Sequence, residues 1–272
     1  MFRSPPEAGC SGGLNPPPPD ARGGFTRLNS VLVAKKLDLC RAKIDGLYRE
    51  LGASDARMSS ERMRKIVPPG ERFSPTASSV TVLSALCLAE LKTLAASLPE
   101  AFQKWIGLHL AGPAVCDLDE AWIRRQYAPG NYPRWHAPHG WHQDGALAFD
   151  FNSNQPNGGP VETILPMVTG WIALNPCGMD SPGLELVTAR LERLLRPPEL
   201  IDESVRARFS PSEFWRPVLE AGDALLFTGD ILHRTNVAPV MTQDRTSLEL
   251  RFFSAEHIPE RLKHHRFARL FD

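Results

Sequence analysis

The sequence lacks the long apolar run that a membrane helix needs. Its longest hydrophobic stretches, such as 79–91, end in Glu and Lys, well short of the roughly 20 apolar residues that span a bilayer core. It also lacks net charge: 31 Lys and Arg balance 31 Asp and Glu. That balance removes the basic field expected of a nucleic-acid binder or a membrane-surface protein. Cysteine is scarce. Cys10, Cys40, Cys87, Cys116 and Cys177 are widely spaced and form no CxxC pair, which argues against both a disulfide framework and a thiolate zinc site and points to a reducing cytoplasmic compartment. The first 20 residues hold one Arg and no apolar core before a small-residue cleavage site, so no secretory signal is expected. What is present is a chain of 272 residues, 42% hydrophobic and with 25 Pro, a length ordinary for one β-sandwich or barrel domain. The expected partner is a small molecule.

Residues 1–28 carry Pro5, Pro6 and a run from Pro16 to Pro19 among several Gly, with too little apolar surface to offset the entropy of ordering them. The sequence predicts a disordered lead over 1–28 and a single domain over 29–272. Within that domain, 30–110 is expected to be helical. Leu32, Ala34, Leu37, Leu39, Ile44 and Leu47 recur at helical spacing before Gly52, and an Ala- and Leu-rich stretch over 79–107 is divided by Pro99. After Gly112 the texture changes to β-branched and aromatic residues alternating with polar ones, punctuated by Gly, Pro, Asn and Asp. Candidate strands are 122–127, 140–149, 163–174, 183–187, 218–220, 224–228, 231–235 and 246–254. The predicted class is mainly β with flanking α, a sandwich or jelly-roll core over 112–256 with the N-terminal helices packed on one sheet.

The chemistry concentrates in the second half. In HGWHQDGALAFDF, His142 and Asp144 are two apart, and on an extended strand such residues project from the same face. His233 lies on the apolar stretch LEAGDALLFTGDILHRTNV, which antiparallel pairing could bring beside them. Two imidazoles and a carboxylate on one face of an octahedral ion leave three positions open, as suits a non-haem Fe(II) oxygenase. One strand later, Arg245 and Ser247 share a face of RTSLELRFF. A guanidinium beside a hydroxyl matches bidentate recognition of a carboxylate. Thr235 offers a second hydroxyl on the face of His233.

HQD, GDALLFTGDILHRT and RTSLELRFF, in this order, resemble the phytanoyl-CoA dioxygenase family of Fe(II)- and 2-oxoglutarate-dependent oxygenases over roughly 122–254. The resemblance implies a double-stranded β-helix of the cupin-like type. It implies His142, Asp144 and His233 as iron ligands, with Arg245 and Thr235 on the distal carboxylate of 2-oxoglutarate. Ser247 is a further candidate for that carboxylate, and Trp171, in WIALNPCGMDSPGLELV, for a wall of the same pocket. The implied reaction consumes O2 and 2-oxoglutarate, releases succinate and CO2, and hydroxylates an unactivated C–H bond of a small-molecule metabolite. An intact Asp144 favours hydroxylation over halogenation, because halogenating relatives replace that carboxylate with a small residue. The chain departs from the family at TARLERL, where a Gly-Ser-His turn is usual.

Other readings compete at several positions. Arg251 lies on the strand face of Arg245 and is the rival anchor. His136 and His139 are expected in a loop at the pocket mouth, because Pro133 and Pro138 oppose a helix. His264 and His265, in the basic run KHHRFAR, are expected to be solvated. Trp171 could equally be a core aromatic, and Ser247 a strand serine bonded to a neighbour. Two whole-protein alternatives stand beside the oxygenase: a cupin-like metal enzyme that does not use 2-oxoglutarate, and a non-catalytic jelly-roll binding module.

Overall fold

The computed structural model describes residues 23–51, 73–74, 79–131, 138–149 and 163–271. The predicted lead over 1–22 lies outside these. Its last residues do not continue as predicted: Phe25–Leu28 forms strand β1, paired antiparallel with Ala224–Thr228. Phe25 is buried against Trp215 with ring centroids 5.4 Å apart, and this apolar anchor offsets the entropy of ordering the strand.

The helices follow in sequence. They are α1 (Ala34–Leu51), α2 (Val82–Ala85), α3 (Leu88–Ala95) and α4 (Glu100–His109). Between α1 and α2 lie strands β2 (Phe73–Ser74) and β3 (Ser79–Thr81). The long helix predicted over 79–107 is therefore preceded by a strand. Ser79, Val80 and Thr81 pair with the edge of a sheet, and a β-branched pair at the start of an apolar run favours that arrangement over helix. Pro99 divides the remainder as expected and caps α4.

The β half comprises β4 (Ala114–Asp117), β5 (Trp122–Gln126), β6 (His142–Gln143), β7 (Met167–Ala173), β8 (Gly183–Val187), β9 (Phe214–Trp215), β10 (Ala224–Thr228), β11 (Leu232–Asn236), β12 (Arg245–Ser254) and β13 (Phe267–Ala268). A short helix α5 (Asp202–Arg208) lies between β8 and β9. One sheet runs β1-β10-β7-β12-β5-β3-β2, with β4 bridging β12 and β13. The second runs β6-β11-β8-β9. Every pairing is antiparallel, giving the two-sheet jelly roll of a double-stranded β-helix. The predicted strand 218–220 reduces to an isolated bridge between Cys177 and Leu219.

Period-two alternation decides what each face of the larger sheet does. On β7, Val168 and Ile172 join Leu248, Leu250 and Phe252 of β12 in the apolar layer beneath the helices, with Phe102 of α4 at its centre. Gly170 is required there, since a Cβ would stand 2.9 Å from Phe102 Cζ. The opposite face, turned to the second sheet, carries Thr169 and Trp171 from β7 and the polar series Arg245, Ser247, Glu249 and Arg251 from β12, all buried. Charged groups buried on a strand face are costly unless they serve one another or a ligand. Among the described residues no helix is long and apolar enough to cross a membrane.

Candidate metal centre

Strand β11 lies between β6 and β8, and its register sets His233 directly opposite His142. Facing residues of antiparallel strands have Cβ atoms about 5 Å apart, and the two rings sit 4.1 Å centroid to centroid. Asp144 does not stay on the strand as predicted. It opens a 3-10 turn over Asp144–Ala146, held by Gly145 N–H donating to Gly229 C=O at 2.9 Å and Leu165 N–H donating to Gly145 C=O at 3.0 Å. The turn needs this glycine: a Cβ on Gly145 would meet the Gly229 carbonyl oxygen at 2.7 Å. Gln143, between the two, points away; its side chain bonds Leu195 N–H at 2.7 Å and the carbonyls of Arg193 and Asp230.

The ligand atoms of His142, Asp144 and His233 lie within 4.8 Å of one another. Each Nδ1 faces a backbone carbonyl, Gly140 at 2.7 Å and Ile231 at 3.0 Å. A carbonyl only accepts, so both Nδ1 atoms carry the proton and both Nε2 lone pairs face inward. Asp144 Oδ1 is 3.7 Å from His142 Nε2 and 3.9 Å from His233 Nε2. Burial, with the neighbouring His233 and His139, pushes His142 well below its ordinary value, so it is neutral and available at pH 7. For Asp144, burial opposes ionisation but is overcome by the Arg251 guanidinium first, then by the two imidazoles and the Thr169 hydroxyl, and the carboxyl lies well below the usual carboxylate range.

Two side chains orient the carboxylate. Thr169 Oγ1 donates to Asp144 Oδ2 at 2.6 Å, and Arg251 Nη2 donates to Oδ1 at 3.4 Å. Arg251 also donates to the Glu120 carbonyl at 2.6 Å. The rival anchor is thereby engaged with Asp144. Thr169 was not singled out by the sequence; a lone threonine on an apolar strand gives no signal without the β7 register. Outer partners of this kind typically carry 10- to 100-fold in metal affinity. Thr169→Val, which keeps shape and removes the donor, is expected to weaken binding of a divalent metal by about that factor, as read by titration calorimetry.

The same cavity is lined by Trp171, Thr235 and Arg245. Arg245 is 1% exposed. It forms no ion pair among the described residues, only a hydrogen bond from Nη1 to the Gly183 carbonyl at 3.3 Å. Its Nε is buried without a partner, and burial pulls the group down to about 10, still protonated at neutral pH. The guanidinium lies over the Trp171 ring, 5.0 Å from its centroid, and the Trp171 Nε1 is likewise buried without a partner. Ser247 behaves differently from the other predicted residues: its Oγ donates to Glu249 Oε1 at 3.3 Å. His139 is at the exposed rim, its ring stacked on His142 at 3.9 Å and its carbonyl accepting from Thr235 N–H at 2.9 Å. His136 lies outside the described residues. His265, expected in solvent, is buried and pairs with Asp117 at 2.7 Å, because the chain folds back so that β13 pairs with β4.

The donor set fits a divalent ion with open positions, and a buried guanidinium with an unpartnered nitrogen in the same cavity fits a carboxylate. No family model matches the sequence, and no curated protein matches it. Solved structures share the fold. The structure of EctD from S. alaskensis with 2-oxoglutarate and 5-hydroxyectoine aligns at TM-score 0.61 and 13% identity, over 91% of this chain and 82% of that one. The form of EctD with bound Fe aligns at TM-score 0.58 and 14% identity, over 87% and 75%. AviO1 from Streptomyces viridochromogenes Tue57 aligns at TM-score 0.53 and 17% identity, over 87% and 92%. These likenesses establish the jelly-roll fold that the sequence predicts.

Proposed function

We propose that the chain is an Fe(II)- and 2-oxoglutarate-dependent oxygenase of the phytanoyl-CoA dioxygenase type, which hydroxylates an unactivated C–H bond of a small molecule. The observation that carries this is Arg245: a buried cation with no ion-pair partner among the described residues, opening on the cavity that holds the His142, Asp144 and His233 triad. A structure of the same fold crystallised with 2-oxoglutarate, and another with Fe, support the reading. When bound, iron with 2-oxoglutarate supplies the oxidising power, converting O2 and the 2-oxo acid to succinate and CO2 as the substrate is hydroxylated.

The chain's own residues position and exclude. The two Nε2 atoms and Asp144 Oδ1 would hold the metal, and the backbone carbonyls at Gly140 and Ile231 keep both imidazoles in the tautomer that can bind it. Arg245 receives the distal carboxylate of the co-substrate, Thr235 adds a hydroxyl, and Trp171 closes the wall behind the guanidinium. A cupin-like enzyme without 2-oxoglutarate would have no use for a buried arginine that makes no ion pair among the described residues, since its desolvation is costly.

Anaerobic addition of Fe(II) and then 2-oxoglutarate is expected to give the visible metal-to-ligand charge-transfer band of a chelated 2-oxo acid, absent in His233→Ala. Iron binding without the band would favour the cupin-like enzyme, and failure to bind any metal the non-catalytic module.

A further inference from the structure

Besides Arg245 and Arg251, the cavity has a third guanidinium. Arg124 projects from β5, where it lies opposite Ser247 in the register with β12, and it lines the same cavity with Glu249. Its Nε donates to Glu249 Oε1 at 3.0 Å and its Nη2 to Oε2 at 3.4 Å. The fork is held on one side by this two-point contact, while Nη1 has no hydrogen bond among the described residues. The side chain keeps 15% of its surface exposed, against 7% for Glu249. The arginine, rather than the glutamate, is the member of the pair with surface to offer.

Glu249 is fully committed. It accepts from Arg124 and Ser247, and Arg251 lies 3.9 Å away. Burial opposes its ionisation, but Arg124, then Arg251 and Arg245, hold it below the usual carboxylate range. A cationic substrate group would find no free carboxylate oxygen there. Among the described lining side chains, Arg124, Arg245 and Arg251 face Asp144 and Glu249, an excess of one positive charge. A divalent metal and the dianion of 2-oxoglutarate cancel each other and leave that excess in place. Glu120 also stabilises the charge of Arg251, but from outside the lining: its carboxylate accepts from the Trp122 indole and it is not one of the lining residues.

We propose that Arg124 is the substrate anchor and that the substrate is a small molecule bearing a carboxylate. Nη1 receives the carboxylate, and Glu249 keeps the guanidinium aimed across the cavity. This inference rests on the oxygenase reading for the presence of a separate co-substrate, which occupies Arg245 and leaves Arg124 to the substrate.

The test uses the full chain loaded with redox-inert Ni(II) and saturating 2-oxoglutarate. The probes are L-amino acids and aliphatic and aromatic monocarboxylic acids, each paired with its primary amide, and the readout is thermal stabilisation. Carboxylates are expected to stabilise the loaded protein more than their amides do. In Arg124→Gln that preference is expected to disappear, with apparent affinity for the best acid falling about 10- to 100-fold. The variant should still be stabilised by nickel and by 2-oxoglutarate. Arg124→Lys, which keeps the charge and loses the fork, should recover part of the preference.

Equal stabilisation by acids and amides, a panel in which no acid stabilises the protein, or a preference retained in Arg124→Gln would overturn the proposal. So would loss of 2-oxoglutarate binding in that variant, which would assign Arg124 to the co-substrate. If 2-oxoglutarate fails to stabilise the wild-type protein, it is the oxygenase reading that fails. The same acid and amide pairs on the nickel-loaded protein alone then decide the role of Arg124.

Discussion

Asp144→Ala is expected to lower the affinity for Fe(II) or Mn(II) by more than about 100-fold, beyond what outer partners such as Thr169 carry. The loss is larger than for an imidazole because of what stands behind the carboxylate. Asp144 is the anionic member of the triad, and Arg251 Nη2 lies 3.4 Å from the oxygen that faces both Nε2 atoms. With Asp144 gone, an incoming dication meets a buried guanidinium instead of a carboxylate. Removing one partner of a buried ion pair typically costs about 3–5 kcal/mol of stability. Arg251 keeps the Glu120 carbonyl at 2.6 Å and Glu249 at 3.9 Å, so the cost here should fall toward the lower end. Asp144→Asn serves as the folded control, since an amide oxygen can still accept from Thr169. Equilibrium dialysis with circular dichroism on both variants separates metal loss from unfolding. Wild-type metal affinity in folded Asp144→Ala would remove Asp144 from the ligand set.

What could be read in the sequence was the part in which chemistry and strand period coincide. The strand 183–187 was predicted residue for residue, and 224–228 likewise. Both are short, mostly apolar runs bounded by turn signals. His142, Asp144 and His233 converge as expected, although Asp144 reaches its place from a turn that depends on Gly145 and Gly229, a backbone contact with no sequence period. Thr169 and Glu249 escaped notice for a related reason. Their roles follow from which strands lie side by side, β7 against β12 and β12 against β5, and registers between distant strands leave no local pattern. Short edge strands such as β9 and β13, two residues each, are likewise decided by tertiary pairing. The same holds for His265, placed in solvent by its basic neighbours and drawn inward by Asp117.

Arg245→Met should do two opposite things. It should weaken 2-oxoglutarate by about 100-fold or more, the usual result of truncating one side of a buried, charge-assisted pair, while leaving metal affinity unchanged because Arg245 touches none of the three candidate ligands. At the same time the ligand-free protein should become more stable, by about 1–4 kcal/mol, as when buried charges are replaced by apolar side chains of similar volume. Burial lowers Arg245 to about 10, which means that the folded chain disfavours its charged form and holds it at a cost in stability. The Trp171 ring beneath it and the Leu184 side chain beside the cavity offer a methionine an apolar seat. Calorimetric titration with 2-oxoglutarate on nickel-loaded protein, beside thermal melts of the metal-free form, reads both effects. Arg251→Met supplies the contrast: with Asp144 deprived of its partner, metal affinity should fall. If Arg251→Met instead abolished 2-oxoglutarate binding and Arg245→Met left it intact, the anchor would be Arg251. Stability lost at position 245 without loss of 2-oxoglutarate would make that arginine a structural residue, and the case for a carboxylate co-substrate would lose its support.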